Sequence, residues 1–108
     1  MSARRQVKLG NLDLDKLEDI ARSRGRKVSR NTSVQLYRGT EDCDLVVDGI
    51  GFKRAEDGTI DAIYDDMHSE TYAGIMADYI EETVEDYGNY HVVGRIKSGD
   101  FITITLRR

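Results

Sequence analysis

The sequence contains no proline, a single cysteine, and no run approaching the roughly 20 apolar residues that a membrane-spanning helix needs. The lack of proline argues against a collagenous, proline-rich or linker-like chain. Cys43 alone cannot close an internal disulfide, and one thiol with two histidines is too few for the common four-ligand zinc sites, which points to a reducing compartment. Residues 1–8 carry positive charge with no apolar stretch behind it, so no secretory signal is expected and the Asn31-Thr32-Ser33 sequon is a chance match. Gly49 and Gly51 lack the further glycines and the Lys-Ser/Thr pair of a phosphate-binding loop. The expectation is a cytoplasmic protein, neither exported nor membrane-bound.

Charge, by contrast, is abundant and unevenly spread. The 108 residues include 16 Lys plus Arg and 20 Asp plus Glu, a formal net charge of −4. Residues 1–40 hold ten basic and four acidic side chains, whereas residues 41–108 hold six and sixteen. Residues 55–94 contain eleven acids and neither lysine nor arginine. With 39% apolar residues, one domain over residues 1–108 can bury a modest core without cross-links.

Hydrophobic periodicity then divides the chain into elements. Asp13 suits the N-cap of a helix with Leu14, Leu17, Ile20 and Ala21 on one stripe, acids early, Arg22 and Arg24 late, and Gly25 as the stop. Residues 6–9 suit a short strand before it. Val34 and Leu36, then Cys43, Leu45 and Val47, alternate as two strands after it. Glu56-Asp57-Gly58-Thr59 between two apolar runs predicts a hairpin of residues 51–55 and 60–64. Tyr72, Ile75, Met76, Tyr79, Ile80 and Val84 recur at the spacing of one buried helix face, with Ser69 or Asp66 as cap and Gly88 as stop. Tyr90, Val92 and Ile96, then Ile102, Ile104 and Leu106, flank Ser98-Gly99 as a closing hairpin. The order β-α-β-β-β-β-α-β-β with short turns predicts an α+β single domain: a mostly antiparallel sheet with both helices on one face.

Tyr37-Arg38-Gly39, Asp44-Leu45-Val46-Val47, Ile50-Gly51-Phe52-Lys53-Arg54 leading into Glu56-Asp57-Gly58-Thr59, and the closing Ile102-Thr103-Ile104-Thr105-Leu106-Arg107-Arg108 carry a resemblance. Together they resemble the hypothetical chloroplast open reading frame thirty-five family, a small domain of unknown function from cyanobacteria, plastids, other bacteria and phages. The resemblance runs over nearly the whole chain in the same element order and brings no known chemistry. It implies a host cytoplasm for a phage-encoded member and the stroma for a plastid-encoded one. One departure matters: family members carry basic residues around a Tyr-Ala pair in the second helix, whereas Tyr72-Ala73 here is flanked by Thr71, Ile75 and Met76. A family function resting on those basic residues would not carry over.

On the second helix Asp78 with Glu82, Glu81 with Glu85, and Glu82 with Asp86 are like-charge i,i+4 pairs, each costing roughly 0.2–0.5 kcal/mol in an isolated helix. A merely solubilising face usually intersperses lysines. Asp78, Glu81, Glu82, Glu85 and Asp86 therefore read as a surface for a basic partner, the plainer alternative being a solvated acidic face. Arg22, Arg24, Arg26, Lys27 and Arg30, with no acid between Ile20 and Thr40, offer contacts to phosphate. The aromatic interleaving that base stacking needs is missing, and helix-dipole complementarity explains part of the cluster. The two poles could also join copies head to tail, or neutralise each other within one chain. Asp65, Asp66, His68 and Glu70 are four candidate ligands within six residues, yet no partner falls at ligand spacing elsewhere and Asp66 or Ser69 is needed as a cap, so no metal is expected. His91 reads as an ordinary strand residue and Cys43 as a small core side chain.

The expected function is a small non-catalytic interaction module, without cofactor, whose acidic second helix binds a basic protein surface. Two alternatives accompany it. One is a phage or mobile-element inhibitor of a host defence complex that mimics nucleic acid with that helix, suggested by the charge spacing and the phage members of the family it resembles. The other is nucleic-acid binding through residues 22–30.

Overall fold

The computed structural model describes residues 3–10, 12–85, 91–98 and 101–107, with side chains described up to residue 83. Strand β1 (Arg4–Leu9) leads into helix α1 (Leu14–Ser23). The Asp13 carboxylate accepts the N–H groups of Asp15 and Lys16 at 3.0 and 3.2 Å, satisfying two donors that the helix itself leaves unpaired. Leu14, Leu17, Ile20 and Ala21 are all buried, as their spacing requires. Gly25, at φ +75°, takes the left-handed conformation that stops the helix.

Strands β2 (Val28–Leu36), β3 (Gly39–Val47), β4 (Ile50–Arg54) and β5 (Ile60–Asp65) follow as successive hairpins. The expected Asp57-Gly58 turn joins β4 to β5. Asp48-Gly49 makes a second turn of the same chemistry between β3 and β4, with φ +48° and +84°, the pair of positive values a type I′ turn needs. Strand β1 pairs antiparallel with β5, so the sheet order is β1-β5-β4-β3-β2. A 3-10 turn, Asp66–His68, runs into helix α2 (Ser69–Glu85). The result is the expected α+β domain: a five-stranded antiparallel sheet and two helices. Strands β6 (His91–Ser98) and β7 (Phe101–Arg107) pair with each other in a separate two-stranded sheet. Gly88, Tyr90 and Gly99 lie outside the described residues. Among the described residues, no helix is long and apolar enough to cross a membrane.

Both helices cover one face of the five-stranded sheet. Leu45, Val47, Ile50, Phe52, Ile60, Ala62 and Tyr64 alternate onto that face and pack with Leu14, Leu17 and Ala21 of α1 and Tyr72 and Ile75 of α2. The Tyr64 and Tyr72 rings stack at 4.7 Å, tying β5 to the start of α2. Helix α2 corrects two sequence expectations. Ile80, assigned to its buried face, is 38% exposed, while Ala73, Ala77 and Asp78 are buried, because the helix packs on α1 as well as on the sheet. The Asp66 carboxylate, expected at the helix cap, instead accepts the Ala3 N–H, and the Ser69 hydroxyl donates to the Asp66 carbonyl.

The opposite face is covered by the chain's own β2–β3 hairpin, which no local pattern foretold. Strand β3 pairs with β4 only over Leu45, Val46 and Val47. At Asp44 it leaves β4, and its carboxylate accepts the Arg54 N–H at 2.7 Å in place of a ladder bond. Across the ladder from Asp44 stands Asn31, at φ +49°. Beyond this bend the hairpin crosses the sheet: Val34, Leu36 and Cys43 pack on Ile63, with Val46 at their edge. Its tip reaches the far side, where the Tyr37 N–H donates to Asp65 of β5 at 2.7 Å and Arg4 of β1 pairs with Glu41. Gly51 makes the crossing possible, since a Cβ there would meet Cys43 Sγ at 2.6 Å.

Candidate functional site

The basic and acidic poles meet inside one chain. Arg24, at the C-terminal cap of α1, donates one guanidinium nitrogen to Asp78 at 3.3 Å and another to Glu82 at 2.8 Å, and lies 3.6 Å from Glu81. Arg26, just past the Gly25 stop, donates to Asp78 at 2.9 and 3.1 Å and to Asp48 at 3.1 Å. Asp48 accepts the Lys27 N–H as well, at 2.9 Å, so the β3–β4 turn anchors the segment that presents both arginines. One guanidinium bridging Asp78 and Glu82 offsets the repulsion that this i,i+4 pair would suffer in isolation.

The side chain of Asp78 is only 7% exposed, so it belongs to the interior of this clasp and not to an outward face as the sequence spacing suggested. A buried carboxylate needs such charged donors, because desolvation without them is costly. Glu82 stays 43% exposed, at the rim. The Arg24 guanidinium is held more firmly protonated than usual, first by its hydrogen bond to Glu82. Glu85 and Asp86, the other two residues of the expected acidic surface, fall where no side chain is described.

The remaining basic residues are engaged locally. Arg22 and Arg30 both donate to Glu18, at 2.7 Å each, and Arg30 also pairs with Asp15. Glu18 is pushed below the usual carboxylate range by its hydrogen bonds, that from Arg22 first. Of the five residues expected to touch phosphate, Lys27 is the one whose side chain has no partner among the described residues. The basic segment is thus a set of guanidiniums already held by carboxylates. Sequence reasoning missed Asp48, Asp15 and Glu18 as partners; the Asp48-Gly49 turn signal was present, but which arginine it would meet depends on the return of the chain.

Two carboxylates of the acidic run before α2 are engaged as well. Asp65 accepts from Tyr37 N–H and Asp66 from Ala3 N–H, and among the described residues no three His, Cys, Asp or Glu side chains gather to hold a metal. Cys43 is buried, and burial raises its thiol pKa, keeping it protonated as a core side chain. Comparison of this chain with protein-family models, with curated proteins and with solved structures finds no match.

Proposed function

We propose that this chain is a small non-catalytic interaction module that presents the carboxylate face of α2 to a basic protein surface. The observation that supports this reading is the clasp itself: α2 carboxylates already hold two guanidiniums of their own chain in charge-assisted geometry. Residues 55–94 supply eleven acids and neither lysine nor arginine, and at the rim of the clasp Glu82 stays 43% exposed, where arginines or lysines of a partner would reach it. The same face in the phage setting of the family resemblance would occupy a nucleic-acid site of a host defence complex, the narrower form of this proposal. The pairing of Arg22, Arg24, Arg26 and Arg30 with carboxylates weighs against direct binding of nucleic acid through residues 22–30, since phosphate would have to displace them.

The test is binding of an arginine-rich peptide followed by calorimetry at several salt concentrations. Affinity should fall steeply with salt and with the double change Glu81→Lys, Glu85→Lys. Affinity indifferent to both would sink the proposal, as would tighter binding of duplex DNA than of the peptide.

A further inference from the structure

A cavity of about 500 Å³ opens where the tip of the β2–β3 hairpin meets strand β1, lined by Arg4, Leu36, Arg38, Gly39, Glu41 and Asp65 among others. It is well separated in the fold from the carboxylates of α2 proposed above. Its volume falls in the range of small-molecule sites, which combine an apolar wall with a few placed polar groups. Leu36, buried in the second core, supplies apolar wall.

The charged groups around it differ in how they are engaged. Arg4 and Glu41 neutralise each other through two hydrogen bonds, one of 2.8 Å, and Arg4 holds the Glu41 carboxyl below its ordinary range. Asp65 is buried and accepts the Tyr37 N–H. Arg38 is exposed and makes no hydrogen bond or ion pair with any described residue. The turn carrying it is braced, because the Gln35 side-chain amide donates to the carbonyls of both Leu36 and Gly39, at 2.9 and 3.3 Å. Beside it in the chain Tyr37 is 64% exposed. A guanidinium without a carboxylate, on a stiffened turn beside an apolar wall, matches an oxyanion with an apolar body.

We propose that this cavity binds a small organic oxyanion, its carboxylate or phosphate on Arg38 and its apolar portion against Leu36. The ligand would bridge the hairpin tip and the β1 edge, so binding also tightens the strap across the second face of the sheet.

The experiment is a titration of the ¹⁵N-labelled protein with hexanoate, hydrocinnamate and phenyl phosphate, and with the neutral hydrocinnamamide. At least one oxyanion should give saturable shifts at the amides of Leu36, Arg38, Gly39 and Glu41, with a Kd of about 1 mM or tighter. Whichever of the carboxylates and the phosphate binds more tightly identifies the head group. Arg38→Ala should weaken binding about tenfold, the loss expected for a hydrogen bond to a charged group. Arg54→Ala, which removes an exposed arginine outside the cavity, should leave it unchanged. Should Arg38→Ala disturb the spectrum away from the tip, Arg38→Gln takes its place. Absence of saturable shifts with all three oxyanions, equal binding of the amide, or indifference to the loss of Arg38 would each overturn the assignment.

Discussion

Gly51→Ala probes the feature that shapes both faces of this protein. Gly51 lies in β4 opposite Val46 and Ile63, directly beneath the folded-over hairpin. A Cβ at this position would stand 2.6 Å from Cys43 Sγ and 2.9 Å from Val34 Cγ1, inside van der Waals contact in both directions. The backbone there does not have positive φ, so nothing in the main chain opposes alanine, and on conformational entropy alone the change would stabilise by about 0.4–1 kcal/mol. Overpacking a well-filled interior costs about 1–3 kcal/mol, which outweighs that gain. A net loss of about 1–2 kcal/mol is expected, read as a fall of roughly 4–12 °C in Tm and a lower urea midpoint at unchanged m. Adding Cys43→Ala removes the closer of the two contacts, so the double variant should lose less than the sum of the single changes. Gly10→Ala is the control, because nothing lies within 4 Å of its Cβ position. A Gly51→Ala protein as stable as the native one, or strictly additive with Cys43→Ala, would refute the claim that the hairpin is packed down on this glycine.

Arg26→Ala withdraws two hydrogen bonds from the buried Asp78 while Arg24 remains, and should cost about 1–3 kcal/mol in urea unfolding; removing Arg24 as well should cost more than the two single losses together, and simple additivity would speak against a shared clasp. Asp13→Ala should lose about 0.5–2 kcal/mol through the N-cap of α1, with Asp13→Asn recovering most of it; equal losses for both would point to some other role for the carboxylate. Glu41 has its carboxyl depressed by Arg4, so its contribution to stability is complete above the unfolded pKa of about 4.3 and disappears as pH falls through the lower folded value. Glu41→Gln should therefore flatten the loss of stability below about pH 4, measured by thermal unfolding across that range, and an unchanged slope would contradict the assignment.

The sequence was most informative where a signal is short-range. The N-cap at Asp13, the stripe on α1, the Gly25 stop and the Asp57-Gly58 turn each depend on a few neighbouring residues, and all four stand where the pattern put them. Helix α2 was legible as a helix but not in its orientation. Asp78 and Ile80 exchange the roles expected of them, because a helix that packs on another helix as well as on the sheet is not oriented by one apolar stripe. The charge segregation was equally visible, and neutralisation within the chain was among the readings it allowed. Which carboxylate would meet which arginine was not visible, because Asp78 and Arg26 are 52 positions apart and become neighbours only after four strands intervene.

By itself, then, the chain determined the α+β class, the order of the elements through α2, the turns, and an acid-only stretch of residues 55–94. Those properties follow from spacing and composition, which survive in any conformation. Only the tertiary structure decided that the β2–β3 hairpin would fold across the sheet, that the two charged poles would close on each other, and that Arg38 would be left facing a cavity. Each of these depends on contacts between residues distant in sequence, where one absent Cβ at Gly51 decides whether two layers can touch.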